Sequence, residues 1–105
     1  MLNQVIVVGR LVRKPTVKET EEGKKVCNAT IAVPRSFKNA EGEYETDFID
    51  IVLFDNIATN TTEYCNKGDI IGVKGRLQTA NKKLEVIAER ITFLSSKKLN
   101  DEDSE

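Results

Sequence analysis

Most of the chain alternates hydrophobic and polar residues with a period of two, the pattern of β-strands that bury one face. In residues 47–54, for example, Ile49, Ile51 and Leu53 share one face while the residues between them share the other. Strands are predicted over five such segments: 3–13, 25–34, 47–54, 69–79 and 84–94. One helix is predicted between the third and fourth strands, capped by Asp55 or Asn56 and stopped by Gly68.

The order of these elements is β-β-β-α-β-β, with Gly9 at a point where a barrel strand would bend and with turns at 38–46 and 80–83. An all-β, five-stranded OB-fold barrel with one short helix between strands 3 and 4 has this order, and a different small barrel remains the alternative. One domain is therefore expected over residues 1–94. Residues 95–105 are expected to form a flexible, disordered acidic tail.

The formal net charge is −1 at pH 7, but acidic and basic residues are distributed unevenly along the chain. Four of the 17 acidic residues lie among the last five, which leaves 16 basic and 13 acidic residues before them, a net charge of +3. A weakly basic body with an acidic tail is a recurrent charge split. The chain has no apolar run long enough to cross a membrane and no secretory signal, so the cytoplasm is the expected compartment.

Aromatic residues carry the first functional hint. Phe48 and Phe54 are predicted to point outward on the third strand, and Phe37 follows the second strand between Arg35 and Lys38. Exposed aromatic rings beside basic side chains suit unpaired nucleic acid, because every base has a π-face and every phosphate a charge. Alternatively, these rings cover a second small core or a subunit contact. Phosphate contacts are predicted for seven basic residues: Arg10, Arg13, Arg35, Lys38, Lys74, Arg76 and Lys82.

Catalysis and metal binding find no support in the pattern. The chain has no histidine, no glycine-rich phosphate loop before a helix and no nucleophile–base pair. Cys27 and Cys65 lie within apolar patterns and are expected to be buried, reduced thiols, so no zinc ligand set and no cofactor are expected.

Five short segments in order resemble the bacterial single-stranded DNA-binding protein family over residues 2–94. They are 3–11 (NQVIVVGRL), 30–37 (TIAVPRSF), 46–54 (TDFIDIVLF), 63–68 (EYCNKG) and 73–79 (VKGRLQT). The resemblance implies an OB fold, usually a homotetramer, that wraps unpaired DNA without sequence preference in replication, recombination and repair. It also implies that Phe37, Phe48 and Phe54 are stacking residues.

The chain departs from that family pattern in three places. The hairpin between strands 4 and 5 is reduced to residues 80–83, so one stacking residue and part of the DNA path are expected to be missing. The end of the chain, 101–105, lacks the Pro-Phe tip through which members dock replication and repair proteins, so docking through such a tip is not expected here, while replication and repair proteins stay open as partners. Asp50 lies on the outward face, where a carboxylate would repel phosphate.

A homo-oligomer is expected from the first strand, and the resemblance implies a tetramer in preference to a dimer. Asn3, Gln4, Val5 and Ile6 are its predicted contact residues, because this segment offers an edge with apolar residues on both faces. Two other functions stay open: a primosomal accessory protein of similar length, or an OB assembly module that no longer binds DNA.

Overall fold

The computed structural model describes residues 1–96. Within that range the chain forms six strands and one helix: β1 (Val5–Leu11), β2 (Val17–Glu19), β3 (Lys25–Lys38), β4 (Tyr44–Phe54), α1 (Asp55–Tyr64), β5 (Ile70–Ala80) and β6 (Lys83–Ser95). The predicted element order is confirmed, with β2 as an unpredicted addition. The predicted tail begins inside β6, and its residues 97–105 lie outside the described range.

A closed barrel is formed by five of the strands. They follow the order β1-β5-β6-β4-β3, and pairing of β1 with β3 closes the ring, while β2 extends the sheet beyond β3. All neighbours are antiparallel except β4 and β6, which run parallel with Ile51 beside Val86. This confirms the predicted five-stranded OB-fold barrel.

The barrel interior is packed with the inward-facing apolar residues of every barrel strand, together with Ala58 of α1. Ile31, Leu53 and Ile71 are among the side chains that are fully withdrawn from solvent. Cys27 and Cys65 are also buried in this core, as predicted, and desolvation raises the pKa of both thiols. Both cysteines therefore stay protonated at neutral pH.

Two glycines allow the strands to approach closely where the barrel bends. A Cβ atom at Gly75 would lie 2.0 Å from the carbonyl oxygen of Ile87, beside a register shift between β5 and β6. A Cβ atom at Gly9 would lie 2.9 Å from the carbonyl oxygen of Ala32, where β1 meets β3. The bend predicted at Gly9 thus coincides with barrel closure.

The helix differs from the prediction at both ends. Its N-cap residue is Phe54, and no side chain caps the first turn, so neither Asp55 nor Asn56 has the predicted role. It ends at Tyr64, four residues before Gly68. The helix ends where Cys65 takes an extended backbone, and Lys14 donates hydrogen bonds to the carbonyl oxygens of Thr62 and Cys65 at this end, at 3.4 and 3.2 Å. At ten residues α1 is too short to span a membrane, and residues 1–96 hold no helix that could.

A two-stranded arm projects beyond the barrel at one end of β3 and β4. Residues 34–38 pair with residues 44–46 and with no other strand of the described chain. The connecting loop covers residues 39–43, which is shorter than the predicted loop at 38–46 because the strands continue into the polar sequence. We call residues 34–46 the β3–β4 arm.

Candidate nucleic-acid interface

Phe48 and Phe54 lie on the outside of the barrel, as strand alternation predicts. Their side chains are 67% and 39% exposed, whereas Ile51 and Leu53 between them are buried. The two residues are six positions apart on an extended strand, which corresponds to a distance of about 20 Å. We call the surface around Phe48, Asp50 and Phe54 the aromatic face.

The aromatic face extends across four strands. Val52, which lies between the two rings, is directly opposite Asn28 of β3 and beside Ile87 of β6. Ile87 in turn is opposite Arg76 of β5. Directly opposed residues share a sheet face, so Arg76 lies on the same surface as the phenylalanines. Val52 and Ile87 are themselves buried and form a small apolar floor outside the barrel core.

An ion pair lies between the two rings. The Lys83 ammonium is 2.7 Å from Oδ2 of Asp50, and the Thr30 hydroxyl donates to Oδ1 at 3.0 Å. These hydrogen bonds hold the pKa of Asp50 below its usual range. Arg13 also approaches the cluster and donates to the Thr30 hydroxyl at 3.4 Å. The expected repulsion of phosphate by Asp50 is therefore countered by two neighbouring cations.

Phe37 lies in the β3–β4 arm, where the register of the two strands shifts between Pro34 and Lys38. Its side chain is 67% exposed. Lys38, next to it, places its ammonium 5.7 Å from the centre of the Tyr44 ring. Tyr44 was not among the candidate residues, because its polar surroundings gave no strand pattern.

Arg35 is engaged by two carboxylates of β4, one in the arm and one just beyond it. Its guanidinium forms two hydrogen bonds to Asp47, at 2.9 and 3.1 Å, and one of 2.6 Å to Glu45. This contact raises the pKa of Arg35 and lowers the pKa of Asp47. A phosphate group would have to displace these carboxylates in order to bind here.

The remaining predicted cations differ in whether they already donate hydrogen bonds within the protein. Arg10 donates to the carbonyl oxygen of Gly68 at 2.6 Å, and Arg76 donates to Oε1 of Gln78 at 2.6 Å. Lys74 is exposed on β5, and Lys82 lies at the tip of the β5–β6 hairpin with a φ of 65°. Arg13 and Arg76 are thus on or beside the aromatic face, whereas Arg10 is hydrogen-bonded to the loop after α1.

Among residues 1–96, the first strand has one edge that is mostly unpaired. Residues 5–10 pair with β5, but β1 meets β3 only at Arg10 and Leu11. Ile6 is 72% exposed, and Gln4 is exposed as well, while Val5 packs partly against the core. Asn3 has a different role within the subunit: its side-chain amide both donates to and accepts from the backbone of Leu77, at 2.9 and 2.8 Å.

Fold and surface together define a small OB barrel with an exposed aromatic face flanked by cations. Residues 2–94 match the single-strand binding protein family, and the chain belongs to this family. It is 46% identical over 110 residues to single-stranded DNA-binding protein 1 of Staphylococcus aureus strain Mu50, covering 96% of this chain and 70% of the relative.

Two further comparisons agree, one in length and the other in fold. Single-stranded DNA-binding protein B of Bacillus subtilis strain 168 is 42% identical over 106 residues, which cover 92% of this chain and 94% of the relative. The crystal structure of the wild-type single-stranded DNA binding protein from Thermus aquaticus superposes with a TM-score of 0.74 at 29% identity. That match covers 90% of this chain and 41% of the Thermus chain.

Proposed function

We propose that this protein binds single-stranded DNA along the aromatic face, without strong sequence preference, and so protects unpaired strands during replication, recombination or repair. One observation carries the proposal: two phenylalanine rings stand exposed on one strand of a chain whose relatives are named single-stranded DNA-binding proteins. The exposed rings border the apolar floor of Val52 and Ile87, and an exposed apolar surface of this kind is typical of an interaction site.

In this proposal, stacking on the bases and neutralisation of the phosphates both contribute to binding. Phe48 and Phe54 stack on bases, and Phe37 extends the path onto the β3–β4 arm. Stacking accepts any base, because every base presents a π-face, so affinity depends little on sequence. Arg13 and Arg76 neutralise phosphates beside the two barrel rings, and Lys38, Lys74 and Lys82 contribute from the arm and from β5–β6. Arg10 and Arg35 contribute only after they release their present acceptors.

The protein acts as a homo-oligomer, a tetramer or a dimer, in this proposal. Support comes from the free edge of residues 5–8 and from Ile6, whose apolar side chain faces solvent in one subunit. Pairing of this edge with a second copy would cover both features. Gln4 and Val5 lie on the same edge. Asn3 contributes indirectly, because its side chain holds the residues before β1 against the backbone of Leu77 in the same subunit.

The proposal is tested by fluorescence polarisation of a labelled poly-dT oligonucleotide. Single strands should bind, and an unlabelled duplex of matching length should compete poorly. The logarithm of the affinity should fall with the logarithm of the salt concentration, with a slope of about 0.7 per phosphate contact. Absence of binding at low salt would remove the proposed function, and equal competition by duplex would remove the role of base stacking.

A further inference from the structure

Tyr44 is an exposed aromatic residue whose ring is already held in place. Its side chain is 60% exposed, and the Lys38 ammonium lies 5.7 Å from the ring centre. Lys38 and Tyr44 are directly opposite each other in the β3–β4 arm, so the strand pairing places the ammonium within reach of the ring for this cation–π contact. A free tyrosine would lose side-chain entropy on stacking, whereas this one is already partly ordered.

The turn next to Tyr44 is also well ordered. The Asn39 side-chain oxygen accepts hydrogen bonds from the backbone N–H groups of Glu41 and Glu43, at 2.9 and 3.0 Å. Backbone hydrogen bonds of 2.8 and 3.0 Å link Asn39 to Glu43 and Gly42. Gly42 has a φ of 81°, which a glycine adopts without strain. Tyr44 is therefore placed by a closed turn and not by a loose loop.

Tyr44 shares a strand face with Phe48. The two residues are four positions apart on β4, where side chains alternate, so both point to the side that carries the aromatic face. Their separation along the strand is about 13 Å. A single strand that passes Phe54 and Phe48 along β4 therefore reaches Tyr44 if it continues in the same direction.

We infer that the tip of the β3–β4 arm is an additional base-stacking site, formed by Tyr44 with Lys38 behind its ring. This inference rests on the proposed function and extends the DNA path beyond the three phenylalanines. Lys38 covers one side of the ring, and the exposed remainder receives a base of single-stranded DNA. The arm thereby adds a stacking position in a chain whose β5–β6 hairpin is short.

The amino-acid composition provides a direct optical test. The chain has no tryptophan and two tyrosines, Tyr44 and Tyr64. Tyr64 is 69% exposed on α1, so it is a matched control outside the aromatic face. In Tyr64→Phe the remaining tyrosine emission comes from Tyr44, and saturating poly-dT should quench it. In Tyr44→Phe the remaining emission comes from Tyr64 and should stay nearly constant.

Affinity supplies the second readout. Tyr44→Ala should weaken binding of a long labelled poly-dT roughly 5- to 150-fold, the range of a lost base stack. Tyr44→Phe keeps a ring and should retain most of the affinity, as should Tyr64→Ala. The number of subunits per particle of Tyr44→Ala, obtained from its oligomeric mass by light scattering, should equal that of the parent protein.

The outcomes separate this inference from the proposed function. If labelled DNA does not bind at all, both are wrong. If DNA binds while Tyr44 emission is unchanged and Tyr44→Ala binds normally, the arm site is wrong and the aromatic face stands. If Tyr44→Ala alters the oligomeric mass, Tyr44 is a subunit contact and the inference is overturned.

Discussion

Lys83 and Asp50 form an ion pair, with 2.7 Å between Nζ and Oδ2, on the surface between Phe48 and Phe54. In the proposed binding mode a DNA strand passes over this contact, so Asp50 and a DNA phosphate would compete for the same ammonium group. The ion pair is partly exposed, so solvent screens it and its contribution to stability is small. A phosphate group can therefore replace the carboxylate at modest cost.

Asp50→Asn should accordingly tighten DNA binding, by roughly 2- to 5-fold, because Lys83 becomes free. The salt dependence should steepen by about 0.7, one further phosphate contact. Since the pKa of Asp50 is lowered, the carboxylate is ionised throughout about pH 6–8, and the difference between the two proteins should be constant there. Polarisation titrations at several salt concentrations measure both effects.

Asp50→Asn/Lys83→Gln is the control, and it should lose the gain in affinity. Weaker binding by Asp50→Asn alone would mean that the carboxylate organises Lys83 and Arg13 instead of competing with DNA.

Gly75 is expected to tolerate no side chain. Gly75→Ala should destabilise the protein by about 1–3 kcal/mol, because the new Cβ atom would overlap the backbone of Ile87. Gly72→Ala on the same strand is the control, since its Cβ would meet nothing nearer than 3.6 Å. Urea denaturation compares the two midpoints. Equal midpoints would show that the β5–β6 bend does not require glycine.

Lys14 should contribute to stability and not to DNA binding. Its ammonium contacts the Thr62 and Cys65 carbonyl oxygens and Oδ1 of Asn66. It therefore donates hydrogen bonds to carbonyl oxygens at the C-terminal end of α1. Lys14→Met should lower the free energy of unfolding by about 1 kcal/mol. Lys18→Met, on the exposed side of β2, should be neutral. A loss of DNA affinity in Lys14→Met at unchanged stability would reassign Lys14 to the interface.

The barrel could be predicted from the sequence because its strands bury one face and therefore alternate. The β3–β4 arm could not, because both of its faces meet solvent and the turn at Asn39 and the Arg35 ion pairs hold it together. Tyr44 was missed for the same reason. The acceptors of Arg10 and Lys14 lie 58 and 51 residues away along the chain, respectively, so spacing gives no sign of them. The three-residue strand β2 is too short to show a period.

The free edge of β1 leads to a prediction about assembly. Ile6→Asp should lower the mass of the particle, because a carboxylate would be buried without a partner in the proposed subunit contact. Tyr64→Asp introduces the same charge on α1 and should leave the mass unchanged. Light scattering at micromolar concentration provides the comparison. A parent protein that is already a monomer there would contradict the proposed oligomer.

The affinity of Phe48→Ala for a labelled poly-dT oligonucleotide tests the central proposal most directly. Phe48 is the more exposed of the two barrel rings, so its truncation should cost little stability, while a lost base stack should weaken binding roughly 5- to 150-fold. Phe93→Ala is the matched control, because Phe93 is 49% exposed beside α1, away from the aromatic face. The account predicts a large loss of affinity for Phe48→Ala, an unchanged melting temperature and normal binding by Phe93→Ala. Unchanged affinity of Phe48→Ala, or an equal loss in both variants, would contradict it.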